Sequence, residues 1–271
     1  MARIHGSAIV GGGVSFGSGV TIGPYAVIGD GVTIGDGTTI GSHAEVKTGT
    51  TIGSNCLVDS FAAIGGLPQD ESFDEKIRSG VTIGDNACIR EHVTVHRASE
   101  ESSSTKIGSG CMLQSGSHVA HDCTVGDGSI LASGSMLGGH AVVGKKCFIG
   151  GGSAVHQWVT IGDCVILGGA SATALNIPPY AMAFEVSTVI GLNLVGLRRA
   201  KISSESIVAL KNCFREFYAR VGNFADRAKR MMGEGFASTE ETKNFLNFFL
   251  IETKRGFAPK RRRIRQRRTE C

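Results

Sequence analysis

The sequence predicts a mainly β fold, a parallel β-helix of hexapeptide repeats followed by a C-terminal α-helical domain. Three observations predict it. An aliphatic or bulky apolar residue recurs every six positions from Ile4 to Leu167, with two interruptions, and 39 of the 271 residues are glycine. Beyond residue 200 the apolar period changes to three and four. A period of six is typical of a β-helix, and glycine well above its usual share of roughly 7% also indicates a repeat architecture.

Each hexad places its aliphatic residue inside a narrow prism. Glycine commonly follows it where the chain must turn, and a small residue four positions on, such as Ala26 or Cys56, also faces inward. Three hexads close one triangular coil, so residues three hexads apart should stack at about 4.8 Å. Hexads of this kind resemble those of the left-handed parallel β-helix, and we take the handedness from that resemblance, because periodicity does not give it.

We expect the prism to span residues 1–178. The repeat breaks at residues 65–82 and 97–106, segments too long to be turns of the prism, and these should be extruded as loops. Long loops on a rigid scaffold often carry binding sites. Pro178 and Pro179 mark the end of the prism.

A helical domain should follow over residues 179–256, with three or four helices that cover one end of the prism. Ser203 is the expected N-cap of a helix whose apolar face contains Ile207, Leu210, Phe214, Phe217 and Val221. Ser238 and Glu241 form a capping-box pattern, followed by Phe245, Phe248 and Phe249 on one face.

The last segment, residues 257–271, is basic and expected to be disordered. It holds seven Lys or Arg residues against one Glu, a net charge of +6 within the +4 of the whole chain, which leaves −2 for the body. No aromatic residue interleaves with these charges and no nucleic-acid motif precedes them, so we expect no nucleic-acid partner.

The composition also bounds the compartment. The eight cysteines show no pairing rhythm, and Cys56, Cys111, Cys123 and Cys147 fall at one phase of the repeat. They are expected to be buried thiols in a reducing environment. No apolar run approaches the roughly 20 residues of a membrane span, so no stable membrane insertion is expected. The expected location is the cytoplasm if the source is bacterial, or an organelle matrix (mitochondrion or plastid) if a presequence has been removed.

The candidate chemistry lies at His118, His121 and Asp122. His121 occupies an outward-facing place in its hexad and titrates near neutral pH, so it is the candidate general base, with Asp122 to orient its ring. One coil on from His121 lies Gly139, whose N–H could face a developing oxyanion, and the next coil brings Gln157. His140 and His156 lie one residue off this column. His118 and His140 are open between substrate contact and structural hydrogen bonding, and His156 is expected to be structural.

These residues carry a resemblance to the acyl-[acyl-carrier-protein]–UDP-N-acetylglucosamine O-acyltransferase family of lipid A biosynthesis, across essentially the full length. Besides the hexads, it rests on motifs in the order Gln69-Asp70, Ile89-Arg90-Glu91, Thr94-Val95-His96-Arg97, His118-Val119-Ala120-His121-Asp122-Cys123, Gly138-Gly139-His140, Ala154-Val155-His156-Gln157, Ile177-Pro178-Pro179-Tyr180 and Gly191-Leu192-Asn193 with Gly196-Leu197-Arg198-Arg199.

The resemblance implies a homotrimer with active sites between subunits, and no cofactor beyond the phosphopantetheine thioester of acyl carrier protein, which acts as co-substrate. His121 would take the proton of the glucosamine 3-hydroxyl of UDP-N-acetylglucosamine, which attacks an (R)-3-hydroxyacyl thioester. Asp122 would orient His121, and the Gly139 N–H would hold the oxyanion. The implied substrate-binding residues are Gln69, Asp70, His118, His140, Gln157, Asn193 and Arg199.

This chain departs from the family pattern at three positions. Ser72 stands where lysine is common, Val195 where an acidic residue is common, and Ala200 where a second arginine is frequent. The position that corresponds to the family's acyl-chain ruler is Gly169. Its missing side chain leaves room, so we expect a longer acyl group rather than a shorter one.

Three alternatives remain open at the level of sequence. A zinc site of three histidines at a subunit interface, as in one class of carbonic anhydrase with this fold, would leave Asp122, the two loops and the helices unexplained. A β-helix that serves as a non-catalytic spacer or platform would not depend on His121. An N-acyltransferase of the same pathway would carry a separate uridine-binding domain before the hexads, for which this chain has no room before Ile4.

Overall fold

A three-sided prism of short parallel strands forms most of the molecule. The computed structural model describes residues 1–261, and residues 262–271 of the basic tail lie outside the described residues. The strands are Arg3–Ile4 (β1), Ile9–Val10 (β2), Ser15–Phe16 (β3), Thr21–Ile22 (β4), Val27–Ile28 (β5), Thr33–Ile34 (β6), Thr39–Ile40 (β7), Glu45–Val46 (β8), Thr50–Ile52 (β9), Leu57–Val58 (β10), Ala63–Gly66 (β11), Gly80–Ile83 (β12), Cys88–Ile89 (β13), Thr94–His96 (β14), Ser104–Ile107 (β15), Met112–Leu113 (β16), His118–Val119 (β17), Thr124–Val125 (β18), Ile130–Leu131 (β19), Met136–Leu137 (β20), Val142–Val143 (β21), Phe148–Ile149 (β22), Ala154–Val155 (β23), Thr160–Ile161 (β24), Ile166–Leu167 (β25), Ala172–Thr173 (β26), Ala181–Phe184 (β27) and Thr188–Leu192 (β28).

Every third strand joins the same sheet, which confirms three hexads per coil. Sheet A runs from β1 through β4, β7 and so on to β25, sheet B from β2 to β26, and sheet C from β3 to β24. The pairs are parallel and in register, with Ile4 beside Ile22 and Val119 beside Leu137. The prism is a left-handed parallel β-helix.

The aliphatic phase of the repeat fills the prism, as predicted. Ile22, Ile40, Val58 and Leu113 stack along sheet A and are each at most 1% exposed. The small inward phase sits at the corners, where burial raises the pKa of the Cys123 thiol to about 12. The seven cysteines among the described residues are free, and Cys56, Cys111, Cys123 and Cys147 are buried as expected.

Both interruptions of the repeat leave the prism at the edge between sheets B and C. Loop 1 comprises residues 67–79 and loop 2 residues 97–103, slightly shorter than the predicted segments. The difference arises because the flanking residues pair as strands: Gly80–Ile83 lies beside Ser104–Ile107. The loops are bonded to each other by the Ser102 N–H, which donates to the Arg78 carbonyl at 2.8 Å. At the start of loop 2, the Arg97 N–H donates to the carbonyl of Gly66, the last residue of β11, at 2.8 Å.

The region after Pro179 begins with a β-hairpin rather than a helix. Strand β27 extends sheet A by pairing with β25, and β28 folds back antiparallel to it. The helices follow at Leu194–Arg199 (α1), Ser204–Ala219 (α2), Phe224–Gly233 (α3) and Glu240–Asn247 (α4), with a 3-10 turn at Phe248–Leu250. The predicted period did not reveal the hairpin because its strands, of four and five residues, lie outside the hexad repeat.

The helical core is aromatic, with Phe217 and Phe249 stacked at 4.1 Å and Phe245 edge-on to both. Ser203 is the N-cap of α2, as predicted. The capping box of α4 is formed by Thr239 and Thr242 rather than by Ser238 and Glu241. Val221 lies beyond the end of α2 and is 86% exposed, so it does not belong to the buried face.

The expectation of disorder from residue 257 is corrected for the first five residues. Phe257 bridges to Asn176 and Lys260 to Val189, and Ala258 is fully buried. This segment and the α4 side chain Asn244, which donates to the Tyr180 hydroxyl at 3.3 Å, attach the helices to the last coils of the prism. Within the described part of the chain, no helix has the length and apolarity needed to cross a membrane.

Candidate active site

The candidate site lies along the edge where sheet B turns into sheet C. Three successive coils place their turns there: His121 with Asp122, Gly139 with His140, and Gln157 with Trp158. Main-chain bonds stack them, from the His140 N–H to the His121 carbonyl and from the Trp158 N–H to the Gly139 carbonyl, both at 3.0 Å. The column predicted from the period of the repeat is therefore present.

His121 and Asp122 form a short, half-enclosed pair. Nδ1 of His121 lies 2.7 Å from Oδ2 of Asp122, and their side chains are 14% and 10% exposed. Burial opposes ionisation of Asp122, but hydrogen bonds from His121 and Ser99 outweigh it and hold the carboxyl pKa below its ordinary value. A carboxylate on Nδ1 holds the proton there, which leaves Nε2 free to accept one.

Nε2 of His121 faces the backbone of Gly139. A Cβ built on Gly139 would stand 2.6 Å from this nitrogen and 2.7 Å from Cε1, so a side chain there would displace the ring. Gly139 thus permits the close approach of the ring, and its φ is not in the left-handed region.

The Gly139 N–H is free to bind a ligand. At the equivalent place of other turns, an aspartate of the next coil accepts the N–H: Asp30 accepts from Gly12 at 2.7 Å and Asp163 from Lys145 at 2.7 Å. One coil beyond Gly139, Gln157 stands where those turns have aspartate. Among residues 1–261, no acceptor is bonded to the Gly139 N–H. A free donor beside a general base is the arrangement that stabilises an oxyanion.

His140 completes the cluster. Its Nε2 lies 3.6 Å from Asp122 Oδ2, and its ring is edge-on to His121 with centroids 5.1 Å apart. Its other face stacks on Trp158 at 3.7 Å, and the Lys254 Nζ lies 3.2 Å from the Trp158 ring centre. Burial lowers the pKa of His140, so the ring is neutral near pH 7 and can both donate and accept hydrogen bonds.

His118 lies on the outer face of sheet B, beside the turn column. Its Nδ1 is 2.7 Å from Thr94 Oγ1, and its ring is edge-on to His96 at 4.9 Å. Burial lowers the pKa of His118, and burial together with the nearby imidazoles lowers that of His96 to about 4. His96 packs against His118, with Gly66 close to its ring.

Loop 1 brings Asp70 into the electrostatic range of the cluster. Its carboxylate accepts from the Ser72 N–H at 2.8 Å and the Ser72 hydroxyl at 2.7 Å. These bonds lower the pKa of Asp70, with smaller contributions from His121 and His140. Ser72, which departs from the family pattern, therefore caps the loop aspartate. Gln69 is exposed beside it.

Two residues at the lower end of the column bond to the C-terminal segment. Arg255 donates to the Gln157 carbonyl at 3.0 Å and contacts His156 Nδ1 at 2.8 Å. His156 thus makes a structural contact, whereas the side chain of Gln157 remains exposed.

Asn193 and Arg199 lie elsewhere, against sheet A. They line a cavity of about 430 Å³ with Lys146, Phe148 and Ile166. The Asn193 side chain is buried: it accepts from the Gly196 N–H at 2.8 Å as the N-cap of α1 and donates to the Cys164 carbonyl at 2.8 Å. Gly169 lies at a third place, the turn between sheets A and B, where an added Cβ would stand 3.4 Å from the carbonyl oxygen and 3.9 Å from the nitrogen of Gly151. One chain therefore does not bring all predicted site residues together.

The cluster also has metal-ligand chemistry. Nitrogen and oxygen atoms of His121, Asp122 and His140 lie within 4.8 Å of one another, and among the described residues this is the one such group. It differs from the three-histidine set of the zinc alternative, because one of its three members is the carboxylate of Asp122.

Sequence reasoning missed Ser99, Thr105 and Trp158. Trp158 could have been found by adding one coil to His140. Ser99 donates to Asp122 from loop 2, and Thr105 Oγ1 accepts the Asp122 N–H at 2.8 Å. Ser99 is separated from Asp122 by part of loop 2, where the period gives no guide. Thr105 lies after loop 2 in the regular repeat, one coil before Cys123, and could have been found by counting back from it.

Known family models match both the prism and the C-terminal region of the chain. Residues 176–258 match a family described as UDP N-acetylglucosamine O-acyltransferase, domain 2. Residues 13–48 and 104–139 match the bacterial transferase hexapeptide repeat.

Relatives that match nearly the full length of this chain share the same protein name. An acyl-[acyl-carrier-protein]–UDP-N-acetylglucosamine O-acyltransferase of a Sulfurihydrogenibium species is 52% identical over 261 residues, 96% of this chain and 95% of its own. One from Campylobacter lari is 37% identical over 258 residues, 94% and 96% of the two chains.

Solved structures agree with these matches. The UDP-N-acetylglucosamine acyltransferase of Campylobacter jejuni superposes with a TM-score of 0.85 at 33% identity, over 96% of this chain and 100% of its own. The Arabidopsis enzyme of that name gives 0.85 at 28% identity, over 95% and 98%.

Proposed function

This chain belongs to the acyl-[acyl-carrier-protein]–UDP-N-acetylglucosamine O-acyltransferase family, and from that premise and the geometry around His121 we propose how it acts. It is an O-acyltransferase that moves an (R)-3-hydroxyacyl group from acyl carrier protein to the 3-hydroxyl of UDP-N-acetylglucosamine, the first step of lipid A biosynthesis. The observation that carries the mechanism is the free Nε2 of His121, with its Nδ1 on Asp122 and its Nε2 beside a free N–H.

In the first step, His121 Nε2 takes the proton of the glucosamine 3-hydroxyl as its oxygen attacks the thioester carbonyl carbon. The Asp122 carboxylate stabilises the imidazolium that forms. The carbonyl oxygen gains negative charge and is held by the Gly139 N–H. In the second step, the C–S bond breaks, and the sulfur of the phosphopantetheine arm takes the proton from His121 and leaves as a thiol. No cofactor is consumed, because the thioester itself supplies the driving force.

The substrate-binding roles rest on position. His140, Gln157 and Asp70 surround the general base, and His118 lies beside them on sheet B. We assign them to the sugar and to the acyl-pantetheine arm. Asn193, Arg199 and Gly169 are assigned to the nucleotide and acyl groove, although they lie on other faces of the same prism.

A homotrimer would resolve this separation. Residues on different faces of one prism can form one cleft if a second prism packs alongside. The outer faces also carry apolar side chains that a neighbour would cover: Met112 is 38% exposed, Met136 49% and Phe148 41%. Sedimentation equilibrium should give three times the 28.3 kDa of one chain, and a stable monomer would contradict the shared site.

The proposed location is the cytoplasm of a bacterium, or an organelle matrix if a presequence is removed. The free, buried cysteines suit a reducing compartment, where acyl carrier protein must also be found. Acyl carrier protein is the proposed partner, and the exposed Arg198 and Arg199 of α1 offer basic charge to an acidic surface.

The deciding experiment incubates the purified protein with UDP-N-acetylglucosamine and a panel of (R)-3-hydroxyacyl carrier proteins, with the product identified by mass spectrometry. His121→Ala should lower kcat by about 10²–10⁴-fold. His43→Ala is the matched control, because His43 lies in a stack of exposed rings with Tyr25 and Phe61 on another edge. If the parent protein transfers no acyl group, the proposed function is wrong. Full activity of His121→Ala would show that His121 is not the general base, whereas no transfer by the parent would favour the non-catalytic platform.

A further inference from the structure

Ser99 of loop 2 holds the carboxylate of Asp122, the partner of the general base, through both of its oxygens. Its hydroxyl donates to Asp122 Oδ2 at 2.7 Å, and its main-chain N–H lies 3.0 Å from Oδ1 and 3.2 Å from Oδ2. We propose that Ser99 is a positioning residue that fixes the carboxylate plane so that Oδ2 serves His121. The inference rests on the proposed function for its kinetic consequences and on these contacts for its structural ones.

The site needs such a device because two imidazoles compete for Asp122. Oδ2 lies 2.7 Å from Nδ1 of His121 and 3.6 Å from Nε2 of His140. A rotation of the carboxylate about its χ2 bond would favour His140 at the expense of His121, and this torsion is broad in aspartate. Two donors from one residue, placed on both oxygens, define the plane of the carboxylate. Ser99 therefore decides which histidine is paired and keeps the proton on Nδ1 of the general base.

Ser99 is itself held by the packing of the two loops. The preceding residue, Ala98, is fully buried. Its N–H donates to the Gly80 carbonyl at 3.2 Å, and its own carbonyl accepts from the Ser79 hydroxyl. Loop 1 thus fixes the backbone that carries Ser99. The same loop carries Asp70, so the segment proposed to bind substrate also fixes the carboxylate behind the base.

The first test is kinetic. Ser99→Ala keeps the N–H and loses the hydroxyl, so kcat should fall about tenfold while KM for UDP-N-acetylglucosamine changes less than about twofold. Ser99→Thr keeps both donors and should restore most of kcat. Ser103→Ala is the matched control: Ser103 lies in the same loop, and among the described residues its hydroxyl has no hydrogen bond. Its kcat should equal that of the parent.

A double-mutant cycle separates positioning from general damage. In a His121→Ala background, Ser99→Ala should lower the residual rate no further, because the residue acts through His121. An equal fall in both backgrounds, or parental kcat in Ser99→Ala, would overturn the proposal. Thermal midpoints of all variants show whether the loss reflects unfolding.

Crystal structures of the parent and Ser99→Ala give a readout that does not need turnover. We expect Asp122 Oδ2 to move towards His140 in the variant and its distance to His121 Nδ1 to lengthen. An unchanged carboxylate would refute the positioning role. If the parent protein transfers no acyl group, the proposed function fails by itself, and this comparison still decides the role of Ser99.

Discussion

Gly139 lies directly against the reactive nitrogen of His121: a Cβ on Gly139 would stand 2.6 Å from Nε2. This contact joins the base to the backbone that is proposed to hold the oxyanion, one coil away. A side chain at this position would require the imidazole to move.

Gly139→Ala should therefore lower kcat by at least about 100-fold, because the methyl group displaces the imidazole and moves the N–H. Gly12→Ala is the control. Gly12 occupies the same place in an earlier turn, and its nearest atom is the Asp30 Oδ1 at 3.8 Å from the built Cβ. Steady-state kinetics and thermal midpoints of both variants check this. Gly139→Ala with parental activity would remove Gly139 from the mechanism.

His96 should make the fold sensitive to mild acid. Its pKa is lowered from an ordinary 6.5 to about 4, mainly by burial. The unfolded chain binds a proton near pH 6.5 that the folded chain does not bind until about pH 4, so the free energy of unfolding falls as pH drops through this window. The loss is up to about 3 kcal/mol.

Denaturant unfolding from pH 7 to pH 4 measures this loss. His96→Gln cannot take up the proton and should lose less stability over the same range. If the free energy of unfolding fell equally with pH in the variant and in the parent, His96 would not be the cause of the acid sensitivity.

Lys146 should replace the cation that Ala200 does not supply. Lys146 and Arg199 line one cavity, in which no acidic residue lies among the described residues. Lys146→Ala should raise KM for UDP-N-acetylglucosamine about tenfold, and Ala200→Arg should restore it. Lys145→Ala is the control, because Lys145 pairs with Asp127 at 3.2 Å and does not line the cavity. An equal rise in KM for Lys146→Ala and Lys145→Ala would contradict a specific role for Lys146.

The turn at Gly169 should accept a long acyl chain. An added Cβ there meets only backbone atoms of Gly151, the nearest at 3.4 Å, so a side chain can be accommodated and should shorten the proposed acyl groove. The parent should prefer fourteen-carbon over ten-carbon donors, and Gly169→Met should reverse this order with KM for UDP-N-acetylglucosamine unchanged. Competition assays with mixed acyl carrier proteins measure it. A parent enzyme that prefers the ten-carbon donor would show the expectation to be wrong.

Chelation should leave the activity unchanged. Nδ1 of His121 and Oδ2 of Asp122 are 2.7 Å apart, a hydrogen-bond distance, whereas two ligands of one tetrahedral zinc stand about 3.3 Å apart. Dialysis against a chelator, followed by metal analysis and assay, tests this. Stoichiometric zinc whose removal abolishes transfer would replace the general-base mechanism by a metal one.

Much of the site could be predicted because the prism repeats. Adding one coil to His121 gave Gly139, and adding a second gave Gln157, and both lie where this arithmetic placed them. The same step from His140 leads to Trp158, which the sequence reasoning passed over. The hairpin at residues 181–192 and the capping box of α4 differ from the prediction, because both lie outside the hexad repeat.

The sequence by itself determined the prism, its coil register, the outward placement of His121 and Asp122, and the approximate positions of the loops. Aliphatic residues at a fixed interval can bury their side chains in only one register, so the period specifies neighbours one coil apart. Only the tertiary structure decided that Ser99 holds Asp122, that Ser72 caps Asp70 and that Asn193 and Gly169 lie on other faces. These contacts join irregular loops to the prism, and their geometry depends on hydrogen bonds that no periodicity encodes.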